Sequence, residues 1–326
     1  MQTALLMDPA LVDHFFGPEE QVQLQERLGV DPRAATTELP AASALADVEL
    51  LITGWGAPDL SSGALELLPR LRAIVHTGGG VSCAQEAAGR GIMVSSARQQ
   101  NALPVAQYTM AMITLAAKDI PWASRTYRAQ QRFIDREAEH ADTGLDGRSV
   151  GIVGASTIGE LVIRSLRAQD VHVAAYDPLL TDERAAALGV VRVDDLTSLA
   201  ARSRILSVHA PDTPSTRGLI SAEVLQSLPN GSTFINTARG ALVDQQALVA
   251  ELETGRLRAI LDVTEPEVLP PGHPLYFLPN VLLTPHMAGT MGTELRRLGA
   301  SALREALRVQ QGEDILHPVP AQEVSA

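Results

Sequence analysis

At 326 residues, the chain has room for two domains with separate cores, and 45% apolar against 20% charged residues is a globular composition. A net charge of −12 argues against a nucleic-acid partner, whose phosphates need a basic face, and no apolar run approaches the roughly 20 residues of a membrane span. The N-terminus, MQTALLMDPA, has neither the basic start nor the apolar core of a signal peptide.

In chain order, ten short apolar runs alternate with Ala/Leu/Arg/Glu segments of helical period. They are Ala4–Met7, Val48–Thr53, Ala73–His76, Ile92–Ser95, Val150–Val153, Val171–Tyr176, Ile205–His209, Thr233–Asn236, Ala259–Val263 and Val281–Thr284. Near-continuous apolar strands separated by helices predict parallel sheets covered on both faces, an α/β class. Ten strands exceed one ordinary doubly wound sheet, so two are expected. Trp55, in TGWGAP after the second run, is open to two readings: closing over an apolar substrate, or packing within its domain. His76, at the end of the third run, reads first as a core histidine and second as a cleft residue. Cys83, the single cysteine, excludes an intrachain disulfide and reads as a small buried side chain in a reducing, cytoplasmic protein.

The first division falls near Asn101. NALPVAQYTMAMITLAAKDIPWASRTYR predicts a long helix beginning about Pro104, because proline is tolerated in a first turn. Its Lys118 is the only lysine, which argues against Schiff-base and pyridoxal-phosphate chemistry. EHADTGLDGRS reads as a loop. The tail ELRRLGASALREALRVQQGE predicts an amphipathic helix with no strand after it, so it is expected to return to the first domain.

Between these helices lies GIVGASTIG, residues 151–159, after a strand and before the amphipathic ELVIRSLRAQD. This is the context of a G-x-G-x-x-G dinucleotide turn, with Gly154 and Gly159 at the outer positions and Ser156 at the middle one. By itself the stretch is either a cofactor loop or a plain structural turn. Serine there either crowds a pyrophosphate or donates its hydroxyl to it, and the neighbouring Thr157 favours the second. Asp177, 18 residues after Gly159 at the end of VHVAAYD, suits the adenine-ribose hydroxyls and repels a 2′-phosphate, which favours NAD over NADP.

Three later segments each follow an apolar strand: INTARGALVD with Arg239, LDVTEPEVLP with Asp262 and Glu267, and LLTPHMAGT with His286. An arginine fork holds a substrate carboxylate, a histidine supplies a proton near neutral pH, and a carboxylate orients that imidazole. Together they suit reduction of a 2-keto acid, the hydride coming from a nicotinamide. His14, His140, His172, His273 and His317 show no metal-ligand spacing, so no metal is expected.

With HAPDTPSTRGLI, NTARGALVD and LPNVLLTPHMAG the chain resembles the D-isomer-specific 2-hydroxyacid dehydrogenase family, which includes phosphoglycerate, glycerate and D-lactate dehydrogenases. The likeness covers nearly the whole chain and is strongest from Gly147 to Gly289. It implies a Rossmann NAD domain, residues 102–290, inserted into a flavodoxin-like substrate domain formed by 1–101 and 291–326, and a homodimer. It implies Arg239 as the substrate-binding and polarising residue, His286 as acid/base, and Glu267 rather than Glu265 as its partner. Cofactor contacts implied are Gly154, Ser156, Thr157, Ile158, Gly159 and Asp177, then His209, Ala210, Pro211 and Thr216. Thr237, Ala238, Arg239, Asp262, His286, Ala288 and Gly289 complete them, with Asp262 on the nicotinamide carboxamide and His209 near the adenosine without chemistry. The family's substrate-carboxylate turn is shortened here to VHTGGGVSCAQ, so Thr77, Gly78 and Gly79, with Trp55 and Asn101, are the candidate substrate contacts. Gln107 replaces a glutamate of the family's wording.

Two functions follow. One is an NAD-dependent oxidoreductase interconverting a 2-keto acid and a D-2-hydroxy acid. The other is a non-catalytic NAD-sensing protein similar to the transcriptional corepressors of this fold.

Overall fold

The computed structural model describes residues 1–319; residues 320–326, the end of the segment predicted as 291–326, lie outside the described residues. The chain divides into two compact units: Met1–Ala102 with the chain from Thr290 on, and Leu103–Gly289.

The first unit is built on four parallel strands, β1 (Gln2–Leu6), β2 (Val48–Thr53), β3 (Ala73–His76) and β4 (Met93–Ser96), side by side in that order. A single parallel bridge, Leu6 to Thr36, sits beyond β1. Counted as a one-residue second strand, Thr36 completes the flavodoxin-like order 2-1-3-4-5. Alternation along the strands splits the core in two. Leu50, Ile52, Ala73 and Val75 face one cluster with the helix Leu295–Gln310; Leu51, Ile74 and Val94 face the other, with Leu65, Leu68 and Ala87. The tail helix thus packs on this sheet.

The second unit holds seven parallel strands: β5 (Ser149–Val153), β6 (His172–Tyr176), β7 (Val191–Arg192), β8 (Ile205–Val208), β9 (Thr233–Asn236), β10 (Arg258–Leu261) and β11 (Val281–Leu283). Their order is β11-β10-β9-β8-β5-β6-β7, which is the doubly wound 3-2-1-4-5-6 arrangement extended by one strand. The chain's direction across the sheet reverses between β5 and β8, so the loops after those strands flank the switch point. Ile152, Ile205, Ile235 and Ile260 point into one core; Val153, Leu206, Phe234 and Leu261 point into the other. Strands buried on both faces explain why the sequence shows continuous apolar runs there.

The structure corrects two expectations. The run Val191–Arg192 is a strand the sequence hid, because it is two residues long and solvent-exposed. The long helix does not begin at Pro104: it spans Arg98–Ala117 with Pro104 inside, ends, and restarts as Ile120–Gln130. Pro104 removes only the bond that the Gln100 carbonyl would have accepted, close to the helix start. The break follows from Pro121, which has no N–H to donate to the Ala117 carbonyl and sits in the first turn of the second helix, and from Asp119, which takes φ 60°.

Candidate active site

At the switch point β5 ends in Val153 and the chain turns through Gly154 at φ 95°. A Cβ on Gly154 would lie 2.6 Å from the Ala210 amide nitrogen, and one on Gly159 would lie 2.0 Å from the Gly154 carbonyl oxygen. Both glycines are demanded by the protein's own packing. Ser156 caps the helix Thr157–Arg167: its Oγ donates to the His209 carbonyl at 2.7 Å and accepts from the Gly159 amide at 3.3 Å. A hydroxyl has one proton, and here that proton goes to the His209 carbonyl. The amides of Ser156, Thr157 and Ile158 have no acceptor among the described residues. Three open N–H groups at a helix N-terminus form an anion cradle.

Asp177 follows β6, and its carboxylate accepts from the amides of Ala155 and Leu179, each at 2.7 Å. These bonds pin it beside the turn and leave it acceptor capacity. His209 is buried below, its Nε2 2.9 Å from the Ser207 hydroxyl, and burial lowers its pKa to about 3. Thr216 serves its own loop, donating to the Pro211 carbonyl at 2.6 Å and accepting from the Thr213 amide at 2.9 Å.

Arg239 stands after β9. The Asn236 amide braces its turn, donating to the Arg239 carbonyl at 2.8 Å and accepting from the Ala238 amide at 3.0 Å. A Cβ on Gly240 would lie 2.1 Å from the Thr264 carbonyl carbon, so this turn lies directly against the segment after β10. The Arg239 guanidinium donates to the Ala238 carbonyl at 2.7 Å and pairs with no carboxylate among the described residues. It remains a fork for an incoming anion.

Asp262, 1% exposed, directly follows β10 and organises the loop after β11. Its Oδ1 accepts from the Thr284 hydroxyl at 2.6 Å and the Met287 amide at 2.9 Å; its Oδ2 accepts from the Ala288 amide at 2.8 Å. Its backbone carbonyl accepts from the His286 amide at 2.9 Å. Held this way, His286 takes φ 51°, unusual for a side chain with a Cβ. Its Nδ1 meets Oε1 of Glu267, not Glu265, whose backbone is instead gripped by Gln245. An ionised carboxylate only accepts, so Nδ1 carries the proton and Nε2 is left for chemistry. Both side chains are about half exposed. From the helix Arg98–Ala117, the Tyr108 hydroxyl reaches Thr284 Oγ1 at 2.7 Å and the Thr109 hydroxyl reaches Thr237 Oγ1 at 2.9 Å.

In the first unit, Thr77 is fully buried, its hydroxyl has no partner among the described residues, and its amide donates to the Thr53 carbonyl. Its side chain is enclosed by the protein's own neighbouring atoms. The amides of Gly78 and Gly79 have no acceptor among the described residues. A Cβ on Gly78 would lie 2.6 Å from His76 Nε2 and 3.0 Å from Trp55 Nε1. Trp55 is 42% exposed and stands edge-on against Phe15, with centroids 5.3 Å apart. His76 bonds Thr53 through Nδ1, and burial lowers its pKa to about 4. Asn101 Oδ1 accepts from both the amide and the hydroxyl of Thr290. Cys83 is buried, which raises its pKa to about 11. Among the described residues no group of three His, Cys, Asp or Glu suits a metal, and no helix is long and apolar enough to cross a membrane.

Sequence reasoning missed Tyr108, Thr109, Asn236 and Thr284. Thr284 and Asn236 lie inside motifs already singled out; nothing about Tyr108 or Thr109 distinguishes them from other helix residues.

Residues 110–288 match the family model described as D-isomer specific 2-hydroxyacid dehydrogenase, NAD binding domain. The D-3-phosphoglycerate dehydrogenase of Mycobacterium leprae is 33% identical over 299 residues, 90% of this chain and 54% of that one. The glyoxylate reductase of Thermofilum pendens is 34% identical over 231 residues, 70% of this chain and 68% of that one. The chain spans about half the length of the phosphoglycerate dehydrogenases it matches. The fold of Rhodotorula graminis D-mandelate dehydrogenase superposes with a TM-score of 0.83 at 24% identity, over 98% of this chain and 97% of that one.

Proposed function

The chain belongs to the D-isomer specific 2-hydroxyacid dehydrogenase family, and from that premise we propose that it interconverts a 2-keto acid and a D-2-hydroxy acid with NAD. Two observations carry this reading: the Glu267–His286 contact, and an Arg239 guanidinium that pairs with no carboxylate among the described residues. The open amides of Ser156, Thr157 and Ile158 fit a pyrophosphate, and Asp177 fits the ribose hydroxyls of NAD. When bound, the nicotinamide supplies the hydride.

In this reading, Arg239 binds the substrate carboxylate and draws charge from the reacting carbonyl. His286 delivers a proton from Nε2 to the oxygen that becomes the hydroxyl, and removes it in the reverse direction. Glu267 keeps the ring oriented by accepting from its Nδ1–H. Gly78, Gly79 and Asn101 are proposed as polar substrate contacts and Trp55 as an apolar one. A cytoplasmic homodimer is part of the same proposal.

Following NADH absorbance with glyoxylate, pyruvate, hydroxypyruvate and phenylpyruvate tests it. At least one should be reduced with NADH favoured over NADPH, and Arg239→Lys should lose about 10- to 100-fold in kcat/KM because an ammonium makes no bidentate fork. Absence of turnover with every member of the panel, in folded protein that binds NADH, would remove the catalytic reading.

A further inference from the structure

The proposed acid/base needs its imidazole held in place, yet His286 sits in a left-handed backbone conformation on an open loop. Resting on that proposed role, we propose that Tyr108, Thr284 and Asp262 form one directed hydrogen-bond chain that holds His286 in register, with Tyr108 and Thr284 as positioning residues.

The direction of the chain follows from donor counting. Asp262 Oδ1, as a carboxylate oxygen, only accepts, so the single proton of Thr284 goes to it. Thr284 Oγ1 must then accept from Tyr108, whose hydroxyl is the terminal donor. Burial raises the Tyr108 pKa, which keeps the phenol protonated. The other acceptor sites of Asp262 take the Met287 and Ala288 amides, the two residues directly after His286. Its backbone carbonyl takes the amide of His286 itself. One buried aspartate therefore fixes three consecutive peptide groups, two through its carboxylate and one through its backbone carbonyl, and Tyr108, 176 residues from Thr284 in sequence, fixes the hydroxyl that satisfies that carboxylate. Such a device selects the strained conformer rather than stabilising the fold in general.

The test is kinetic, on the full chain. Thr284→Val should lower kcat about 5- to 150-fold, because it leaves a buried acceptor short of a donor. Tyr108→Phe should lower it about two- to tenfold, the range of one neutral hydrogen bond. In both, KM for the keto acid and Kd for NADH should stay within about twofold, and Thr284→Ser should recover most of the rate. In a His286→Ala background neither change should cost anything further, because residues acting through one group are not additive. If Thr284→Val does not fold, Tyr108→Phe, which removes one oxygen, carries the test. Two results overturn the positioning role: kcat unchanged in Tyr108→Phe and Thr284→Val, or the same losses with and without His286. A wild-type chain that turns over no 2-keto acid overturns the dehydrogenase reading beneath it instead.

Discussion

The turn at residues 154–159 and the loop at residues 284–288 present opposite faces of the chain. In the turn, side chains and glycines are consumed internally: Ser156 closes on His209 and Gly159, while Gly154 and Gly159 allow backbones to touch. What it offers outward is three unpaired amides. In the loop, the amides of His286, Met287 and Ala288 are all consumed by Asp262, and what it offers is a side chain. A backbone site is specified by what must be absent, a Cβ. A side-chain site is specified by what must be present, an imidazole and the groups that hold it.

This contrast predicts where substitutions act. The largest effect belongs to the side-chain site: His286→Ala should cost about 10²–10⁴-fold in turnover while NADH titration shows binding retained. A variant keeping more than about a third of the rate would show that the loop's offering is not the imidazole. The turn should respond the other way. Gly159→Ala adds one methyl 2.0 Å from the Gly154 oxygen and should destabilise the protein by about 1–3 kcal/mol in urea titration, with weakened NADH binding. Unchanged stability and affinity would mean that close packing does not define the turn.

Acid separates the regions further. His209 lies beneath the turn with its pKa lowered from 6.5 to about 3. The unfolded chain therefore binds a proton below about pH 6.5 that the folded chain refuses until about pH 3. Stability should fall as pH drops through that window, by roughly 2 kcal/mol for this group between pH 6.5 and 5. His76 in the first unit, lowered to about 4, adds a slope of the same sign. Denaturant midpoints at the two pH values measure the sum, and replacing His209 with Gln should flatten it; an equal slope in that variant would assign the effect elsewhere. The smallest change is Ser156→Ala, which loses a helix cap at a cost of about 1 kcal/mol. NADH and NADPH affinities should then move together, by less than the change in stability. A large selective loss of cofactor affinity would return the hydroxyl to the ligand.

The sequence by itself determined the α/β class, the two parallel sheets, and the strands that precede Arg239, Asp262 and the His286 loop. Those features rest on local patterns, apolar runs and short motifs, that need no knowledge of distant contacts. It named Ser156 but gave no sign of its hydroxyl's partner, the His209 carbonyl, which lies 53 residues away. Only the tertiary structure revealed that Asp262 clamps the histidine loop and that Tyr108 reaches it across 176 residues. It also showed Thr77 turned inward and Pro104 inside its helix, where neighbours outweigh a residue's own preference. A motif states which residue types the chemistry needs. Which donor meets which acceptor depends on how the strands' ends converge, and no local pattern encodes that.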